Sequence, residues 1–336
     1  MKILIIHTAF IGDIVLSTPL LKRIKEVYPD GKITYVTTPA GASILRNNPH
    51  ISEIIEYDKR GEHKGIKGVI SLGRRLRYEN FNLVITPHRY IRSSILSWLT
   101  RSPERIGYKT ASGSFLFTKK IPYDKNKHEV EKLLSFVGVE GRNLREKYPV
   151  ELYPGKKEIE KIDTILEENK VGNKKIVVVA PGSKWFTKKW PLEYFNEIIK
   201  ENNQSDRVTV VVGGKDEMHL AINKESNVID LRGKTSLLEL AEIIKRARVV
   251  LTNDSSPIHI ASAWSSCHIV SIFGPTVEEF GFFPWGLNSE VLEDKSLKCR
   301  PCAIHGGNKC PKGHFKCMLN ITPKMVMSRI EKSLSE

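Results

Sequence analysis

The sequence predicts an α/β protein built from two doubly wound units that face each other across a cleft. Three observations lead to this fold class. Short β-rich apolar runs alternate with helical patterns, the alternation occurs in two separate series, and a charged segment containing prolines lies between them. A chain of 336 residues is long enough for two hydrophobic cores.

The first series begins with the apolar run 2–6. We interpret this run as a strand rather than a secretion signal, because Asp13 soon interrupts the apolar region and no small-residue cleavage site follows. Apolar residues then recur at helical spacing between Ile14 and Ile24. Further strands are predicted at 33–37, 54–57, 83–86 and 105–108.

The second series has five predicted strands, and helical patterns at 191–200 and 237–245 separate some of them. The strands are 176–180, 208–212, 228–230, 249–253 and 268–272. The charged segment between the series, with its helical pattern at 156–169, is the best domain boundary. The sequence therefore predicts an N-terminal domain at 1–150, a C-terminal domain at 151–321 and a final helix at 322–336. That helix starts with Pro323 in its first turn, and one expectation is that it returns to the N-terminal domain.

The charge of the chain is strongly positive. Lys and Arg number 53 against 38 Asp and Glu, a net charge of +15. Such a balance suits an anionic partner, namely nucleic acid, a membrane surface or a phosphorylated small molecule, although scattered Lys is also typical of a solvated surface. No apolar run approaches the ~20 residues of a spanning helix. We expect a cytoplasmic protein in peripheral contact with the inner face of the cytoplasmic membrane.

Asp13 is the most informative single residue. It stands where the first strand turns into the first helix, which in an α/β sheet is the edge that binds ligands. A carboxylate in this position is commonly just a helix cap. The alternative is a general base, since one carboxylate at a cleft edge suffices to remove a proton from a hydroxyl group.

The second series carries residues suited to phosphate chemistry at three strand ends. Ser183 lies in a Pro-Gly-Ser-Lys loop after strand 176–180, and Lys188 follows it. Glu217 follows strand 208–212 and suits ribose hydroxyls. After strand 249–253, Asp254 is expected to cap a helix while the amides of Ser255 and Ser256 point at an anion. No Gly-x-Gly-x-x-Gly follows the first strand of either series, which argues against a dinucleotide oxidoreductase.

Together these motifs resemble family 9 of the glycosyltransferases, the ADP-heptose:lipopolysaccharide heptosyltransferases, over nearly the whole chain. The matching segments are Phe10-Ile11-Gly12-Asp13, Ser17-Thr18-Pro19, Arg92-Ser93, Arg105-Ile106-Gly107-Tyr108, Lys188-Lys189-Trp190-Pro191, Gly233-Lys234-Thr235-Ser236-Leu237, 253–259 and Phe273-Gly274-Pro275-Thr276. The Cys-rich segment 299–318 is most similar to the branch that adds the second heptose, heptosyltransferase II. The resemblance implies a GT-B fold, an ADP-heptose donor in the C-terminal domain, an acceptor in the N-terminal domain and inversion at the anomeric carbon.

The resemblance also implies roles for individual residues. Asp13 matches the general base, and Lys188 matches the lysine that contacts the donor diphosphate. The other implied donor contacts are Ser183 for phosphate, Glu217 and Thr235 for ribose and adenine, and Asp254, Ser255, Ser256 and His259 for the donor loop. Ser256 replaces the glycine of the family pattern. His88, Arg89 and Arg92 are plausible acceptor contacts.

The reaction implied is transfer of L-glycero-D-manno-heptose to the anionic inner core of lipopolysaccharide. Charge developing on the leaving diphosphate can be stabilised by Lys188 and by helix-end amides. The sequence has no Asp-x-Asp pair at a strand end, so metal-independent transfer is favoured, with no cofactor beyond the donor substrate.

A cluster of Cys299, Cys302, Cys310, His314 and Cys317 fits zinc-ligand spacing in part. Buried thiols in an ordered loop explain it equally well. Cys267 lies apart, in an apolar stretch, and is predicted to be in the core.

Two alternative functions stay open. One is a different GT-B nucleotide-sugar enzyme, such as an epimerase or another glycosyltransferase; an epimerase would need more acid and base groups than Asp13 alone. The other is a nucleic-acid-binding protein that uses the basic charge and the Cys/His module. The spread of basic residues over both halves counts against nucleic acid as a partner.

Overall fold

The computed structural model describes residues 1–335, so residue 336 of the predicted final helix lies outside it. The chain divides after Tyr153 into two compact units: unit 1 is Met1–Tyr153, and unit 2 begins at Pro154. Within residues 1–335, no helix combines the length and the apolar character needed to cross a membrane.

Unit 1 contains one sheet of six parallel strands in the order β3-β2-β1-β4-β5-β6. The strands are β1 Lys2–Ile6, β2 Lys32–Thr37, β3 Glu53–Glu56, β4 Leu83–Thr86, β5 Glu104–Tyr108 and β6 Lys119–Ile121. The helices are α1 Ile11–Leu16, α2 Thr18–Val27, α3 Pro39–Leu45, α4 Gly65–Tyr78, α5 Ile91–Leu99, α6 Glu129–Leu134 and α7 Leu144–Lys147. Residues of β1 are fully buried from Ile3 to Ile6, as expected for a central parallel strand.

Unit 2 repeats this topology with the strand order β12-β11-β10-β7-β8-β9. Its strands are β7 Lys175–Ala180, β8 Arg207–Val211, β9 Val228–Asp230, β10 Val249–Asn253, β11 His268–Ile272 and β12 Ser289–Leu292. Its helices are α8 Lys156–Glu168, α9 Leu192–Glu201, α10 Leu237–Lys245, α11 Ser256–Ala261, α12 Lys316–Leu319 and α13 Pro323–Ser335. The prediction of two doubly wound parallel sheets is confirmed.

The helical pattern after the first strand is broken into two helices, which the sequence did not predict. The break falls at Ser17, whose hydroxyl donates to the carbonyl of Ile14 at 2.6 Å. Pro19 lies in the first turn of α2, where its missing N–H costs no hydrogen bond. The first helix is therefore short, and α1 ends before its apolar stripe does.

The final helix α13 belongs to unit 2, so the expectation that it returns to the N-terminal domain is wrong. Val326, Ile330 and Leu334 lie in the core of unit 2. Glu331 accepts two hydrogen bonds from Arg207, of 2.6 and 2.8 Å, at the start of β8. An apolar stripe with a bidentate ion pair beside it fixes the helix against the sheet of its own unit.

Each sheet reverses its strand order once, between β1 and β4 in unit 1 and between β7 and β10 in unit 2. The loops that follow these four strands diverge at the carboxyl edge, and this opening is where doubly wound sheets bind ligands. Most residues selected from the sequence lie in these loops.

Candidate active site

Asp13 lies in the loop-to-helix segment after β1, as predicted. It is the third residue of α1, and Phe10, which supplies no side-chain cap, occupies the N-cap position. The backbone N–H of Phe10 donates to Asp13 Oδ2 at 3.2 Å, which holds the carboxylate back over the start of the helix. Asp13 is partly buried. The hydrogen bond from Phe10 orients one of its carboxylate oxygens at the ligand edge of unit 1.

The environment of Asp13 makes it a base with a pKa near neutrality. Burial and the negative charge of Glu129 together raise the pKa of Asp13 to about 7, against the hydrogen bond from Phe10. Glu129 is the first residue of α6, which packs against α1 and α2. The sequence did not identify Glu129, because no local motif shows which helix α1 will contact.

Glu129 belongs to a buried cluster of charges and aromatic rings. Its carboxylate lies 3.5 Å from the ammonium of Lys132 one turn later, and both side chains are nearly inaccessible to solvent. Lys132 and Arg89 both lie near the ring of Tyr123, with the Arg89 guanidinium 4.0 Å from the ring centroid. Burial raises the pKa of Glu129, whereas Lys132 and Arg89 oppose that shift. Arg89 was selected from the sequence, and this contact places it beside the cluster that tunes Asp13.

His88 lies in the loop after β4, and the fold brings it to the end of β1. Its Nδ1 is 2.8 Å from the hydroxyl of Ser93 and 3.2 Å from that of Thr8. Burial and the charges of Lys59 and Arg89 lower its pKa to about 4, so the ring is neutral at pH 7. Lys59, which the sequence did not identify, donates to the carbonyl of Thr8 at 2.8 Å.

Arg92 is an exposed residue near the start of α5. Burial lowers the pKa of Lys59, and the charge of Arg92 is close enough to lower it as well. The carboxyl edge of unit 1 thus carries His88, Arg89, Arg92 and Lys59 near one another. These groups suit an anionic ligand.

In unit 2, Lys188 and Asp254 meet although they come from different loops. Lys188 Nζ lies 2.5 Å from Asp254 Oδ2, and the hydroxyl of Thr276 donates to the same oxygen at 2.6 Å. The prediction that Asp254 caps α11 is wrong. The N-cap is Ser255, and the Asp254 carboxylate instead binds the lysine and threonine that reach it from neighbouring loops.

Asn253, the last residue of β10, ties the phosphate loops together. Its side-chain Nδ2 donates to the carbonyl of Pro181 at 2.8 Å, and its side-chain Oδ1 accepts from the backbone N–H of Trp190 at 3.0 Å. Asn253 is completely buried, so these bonds hold the loop of Ser183 and the segment after Lys188 against the strand end.

The serines of the donor loop have ordinary backbone conformations. Ser255 is extended, with φ of −154°, and Ser256 begins α11. Ser256 is not one of the non-glycine residues within 1–335 that have a positive φ. The backbone at this position therefore does not require the glycine of the family pattern.

Glu217 and Thr235 lie in the loops after β8 and β9. The backbone N–H of Gly214 donates to Glu217 Oε2 at 2.8 Å. A Cβ on Gly182 would collide with the Glu217 carboxylate, so the loop after β7 lies directly against this side chain. Thr235 is half-buried and precedes Ser236, the N-cap of α10.

His259 is buried in α11 close to the Lys188–Asp254 pair. Its pKa is lowered to about 4, chiefly by burial; the charge of Asp254 opposes this shift, and that of Lys188 adds to it. Its Nδ1 has no hydrogen-bond partner among residues 1–335. A neutral imidazole with an unsatisfied nitrogen beside a buried cation is suited to a hydrogen bond with a ligand.

The Cys-rich segment supports the Lys188 loop. The backbone N–H of Gly307 donates to the Thr187 hydroxyl at 2.8 Å, and the N–H of Thr187 donates to the carbonyl of Gly307 at 3.0 Å. Arg300 donates to the carbonyl of Thr276 at 2.7 Å and to Glu293 at 2.6 Å. The Cys-rich segment thereby holds in place the two partners of the Asp254 carboxylate, Lys188 and Thr276.

The cysteines show no metal centre. Within residues 1–335, no three His, Cys, Asp or Glu side chains are grouped so that they could hold a metal ion. Cys299 Sγ lies 3.8 Å from His314 Nε2, and Cys317 is buried in the core of unit 2. Cys317 is a buried thiol, as the second interpretation of the cluster expects. Cys267 is fully buried, as predicted.

Comparison with known proteins identifies a family to which the sequence is similar. The sequence profile of glycosyltransferase family 9 (heptosyltransferase) matches residues 69–309. Lipooligosaccharide heptosyltransferase 2 of Campylobacter jejuni is 27% identical over 340 residues, which are 99% of each protein.

Two solved structures are similar along their whole length. The glycosyl transferase family 9 protein of Veillonella parvula has a TM-score of 0.85 at 23% identity, over 99% of this chain and 97% of that one. The ADP-heptose LPS heptosyltransferase II of E. coli has a TM-score of 0.80 at 20% identity, over 99% and 98%. These likenesses confirm the GT-B class of α/β fold expected above.

Proposed function

This chain belongs to glycosyltransferase family 9, the heptosyltransferase family, and from that premise we propose that it moves L-glycero-D-manno-heptose from ADP-heptose to the inner core of lipopolysaccharide. The names of similar proteins support the substrates. The E. coli structure is that of an ADP-heptose LPS heptosyltransferase, and the C. jejuni relative is a lipooligosaccharide heptosyltransferase. Both are type 2 enzymes, which supports addition of the second heptose.

In this proposal Asp13 is the general base. With a pKa near 7, the Asp13 carboxylate is ionised in much of the protein at neutral pH. In that ionised form it can take the proton of an acceptor hydroxyl. The hydroxyl oxygen attacks the anomeric carbon of heptose, the bond to the diphosphate breaks on the opposite face, and the configuration inverts. ADP leaves with the electron pair of that bond.

The donor is assigned to unit 2. Lys188 meets the diphosphate, whose negative charge grows as the glycosidic bond breaks. Ser183, Asp254, Ser255, Ser256 and His259 surround that position, and Glu217 and Thr235 are assigned to the ribose and adenine. The step uses protein groups alone, so we propose that the donor is the sole small molecule required and that transfer is metal-independent.

The acceptor is assigned to unit 1. His88, Arg89 and Arg92 at its carboxyl edge are the proposed contacts to the anionic inner core. Because that core is attached to a membrane lipid, the proposal also includes peripheral contact with the inner face of the cytoplasmic membrane. Nucleic acid is not a proposed partner.

One observation carries the proposal: at the switch point of unit 2, Lys188 from the loop after β7 meets Asp254 and His259 from the segment after β10. The test is to incubate purified protein with ADP-heptose and defined core acceptors of one and two heptoses, and to follow ADP release and product mass. We expect transfer to an acceptor that ends in the first heptose. Epimerised donor without transfer would support the epimerase alternative instead.

A further inference from the structure

Helices α4 and α5 pack side by side in unit 1 and share an outward face of unusual composition. On α4, residues Ile66, Ile70, Arg74 and Arg77 succeed one another at spacings of three or four, so they form one stripe. Ile66 is 75% exposed and Ile70 is 38% exposed. The stripe is apolar at its start and cationic at its end.

Helix α5 meets the cationic end of this stripe, because Arg101, which follows α5, lines one cleft with Arg74 and Arg77. Trp98 is 36% exposed, and the guanidinium of Arg101 lies 4.6 Å from the centroid of its ring. The helices approach closely here, since a Cβ on Gly73 would collide with Leu99. We call Ile66, Ile70, Arg74, Arg77, Trp98 and Arg101 the α4–α5 face.

The cationic end of the face borders a cleft of about 700 Å³. Arg74, Arg77 and Arg101 line it together with neutral side chains, and none of the described residues that line it is acidic. Arg75 pairs with Glu53, whereas these three arginines have no carboxylate partner among residues 1–335. Their charges are therefore not neutralised within the described chain.

The cleft is separate from the candidate active site. Its lining residues Asn82 and Pro103 directly precede β4 and β5, so it lies at the amino ends of these strands. The candidate catalytic and acceptor residues of unit 1 lie at the carboxyl ends. A ligand of this face is consequently not the reacting group.

We propose that the α4–α5 face docks on an anionic lipid bilayer, with the isoleucines and Trp98 entering the interface and the arginines meeting lipid phosphates. Exposed apolar side chains next to Trp and basic residues are the composition of interfacial membrane surfaces. A second copy of this chain suits the face less, because each copy carries a net charge of +15. The inference rests on the proposed function in one respect, that the acceptor is a membrane lipid.

The test is co-sedimentation of the full-length protein with vesicles of phosphatidylcholine, alone or with about one third phosphatidylglycerol. We expect binding to anionic vesicles that weakens with salt. Each basic residue near such a surface contributes about 1 kcal/mol. Arg74→Gln/Arg77→Gln should therefore lower the partition coefficient roughly 30-fold, and Ile66→Ser/Ile70→Ser should lower it at every salt concentration.

The matched control is Lys200→Gln/Lys224→Gln, which removes the same charge from exposed positions in unit 2 and should leave partitioning within a few-fold of the parent. Equal loss in the control, no preference for anionic vesicles, or a dimer that dissociates in the α4–α5 variants would overturn the proposal. Transfer of heptose to a delipidated, water-soluble acceptor tests the proposed function separately from membrane docking of the α4–α5 face. The α4–α5 variants should retain it, and its absence in the parent protein would refute the function without touching the vesicle result.

Discussion

The ammonium of Lys188 lies 2.5 Å from the carboxylate of Asp254, and both side chains are nearly buried. The Thr276 hydroxyl, positioned through Arg300, binds the same carboxylate. The lysine proposed to meet the diphosphate is therefore held in place before any donor arrives. Holding a charge in advance reduces the reorganisation that the reaction itself must supply.

Lys188→Ala should weaken ADP binding about 10- to 100-fold, because a charge-assisted contact with a phosphate is lost. Adenosine binding should change little, since the diphosphate is absent. Calorimetry with both ligands measures the difference, and Lys200→Ala, an exposed lysine on α9, is the control. Equal affinity of parent and variant for ADP would show that Lys188 points elsewhere.

Lys188→Ala should also lose about 3 kcal/mol of unfolding free energy, because Asp254 becomes a buried charge without its cation. Removing both partners in Lys188→Ala/Asp254→Ala should restore part of that loss. Urea unfolding of the parent, both single variants and the double variant gives the coupling energy. Strictly additive losses would mean that the two residues do not stabilise each other.

The acid limb of the kcat/KM profile should follow ionisation of Asp13. Its pKa is raised to about 7, so activity should fall as the pH drops below that value. Glu129→Gln removes a negative charge and should move the limb to lower pH. Tyr35 and Tyr123 also interact with Asp13, but their pKa values are raised, so both stay neutral in this range.

Glu140→Gln is the control for that experiment, because Glu140 is 70% exposed and pairs with Lys127. It should leave the limb unchanged. If Glu129→Gln lowers activity equally at every pH, Glu129 supports the fold of α6 and does not set the pKa of the base.

Asp13 should reduce stability at the pH at which it works. Its folded pKa of about 7 exceeds the ordinary value of 3.8, so the penalty is absent below about pH 4, grows as the pH rises and is complete above 7. Asp13→Asn should then raise the unfolding free energy by about 1–3 kcal/mol at pH 8 and by little at pH 4. Thermal unfolding at the two pH values measures this, and a variant less stable than the parent at pH 8 would contradict it.

Strands and loop motifs were accessible from sequence because their signals are local. The strands β1, β4, β10 and β11 are largely apolar and buried, and their bounds were predicted to the residue, whereas β7 begins one residue before its predicted start. The edge strands β6 and β12 were missed, because they are short and only partly buried, so no apolar pattern marks them.

Contacts between distant segments were not accessible. The loop motif at Asp254 suggested a helix cap, whereas the tertiary partners Lys188 and Thr276 decide what its carboxylate binds. Glu129 had no local signal at all, since its influence on Asp13 depends on the packing of α6 against α1. The place of α13 likewise depends on which core accepts its apolar stripe.

The central claim is that Asp13 removes the proton of the acceptor hydroxyl during transfer from ADP-heptose. Single-turnover transfer by Asp13→Asn, with acceptor and ADP-heptose both saturating at pH 8, tests it most directly. We expect the rate to fall about 10²- to 10⁴-fold while ADP affinity stays the same. A rate close to that of the parent protein would contradict the account.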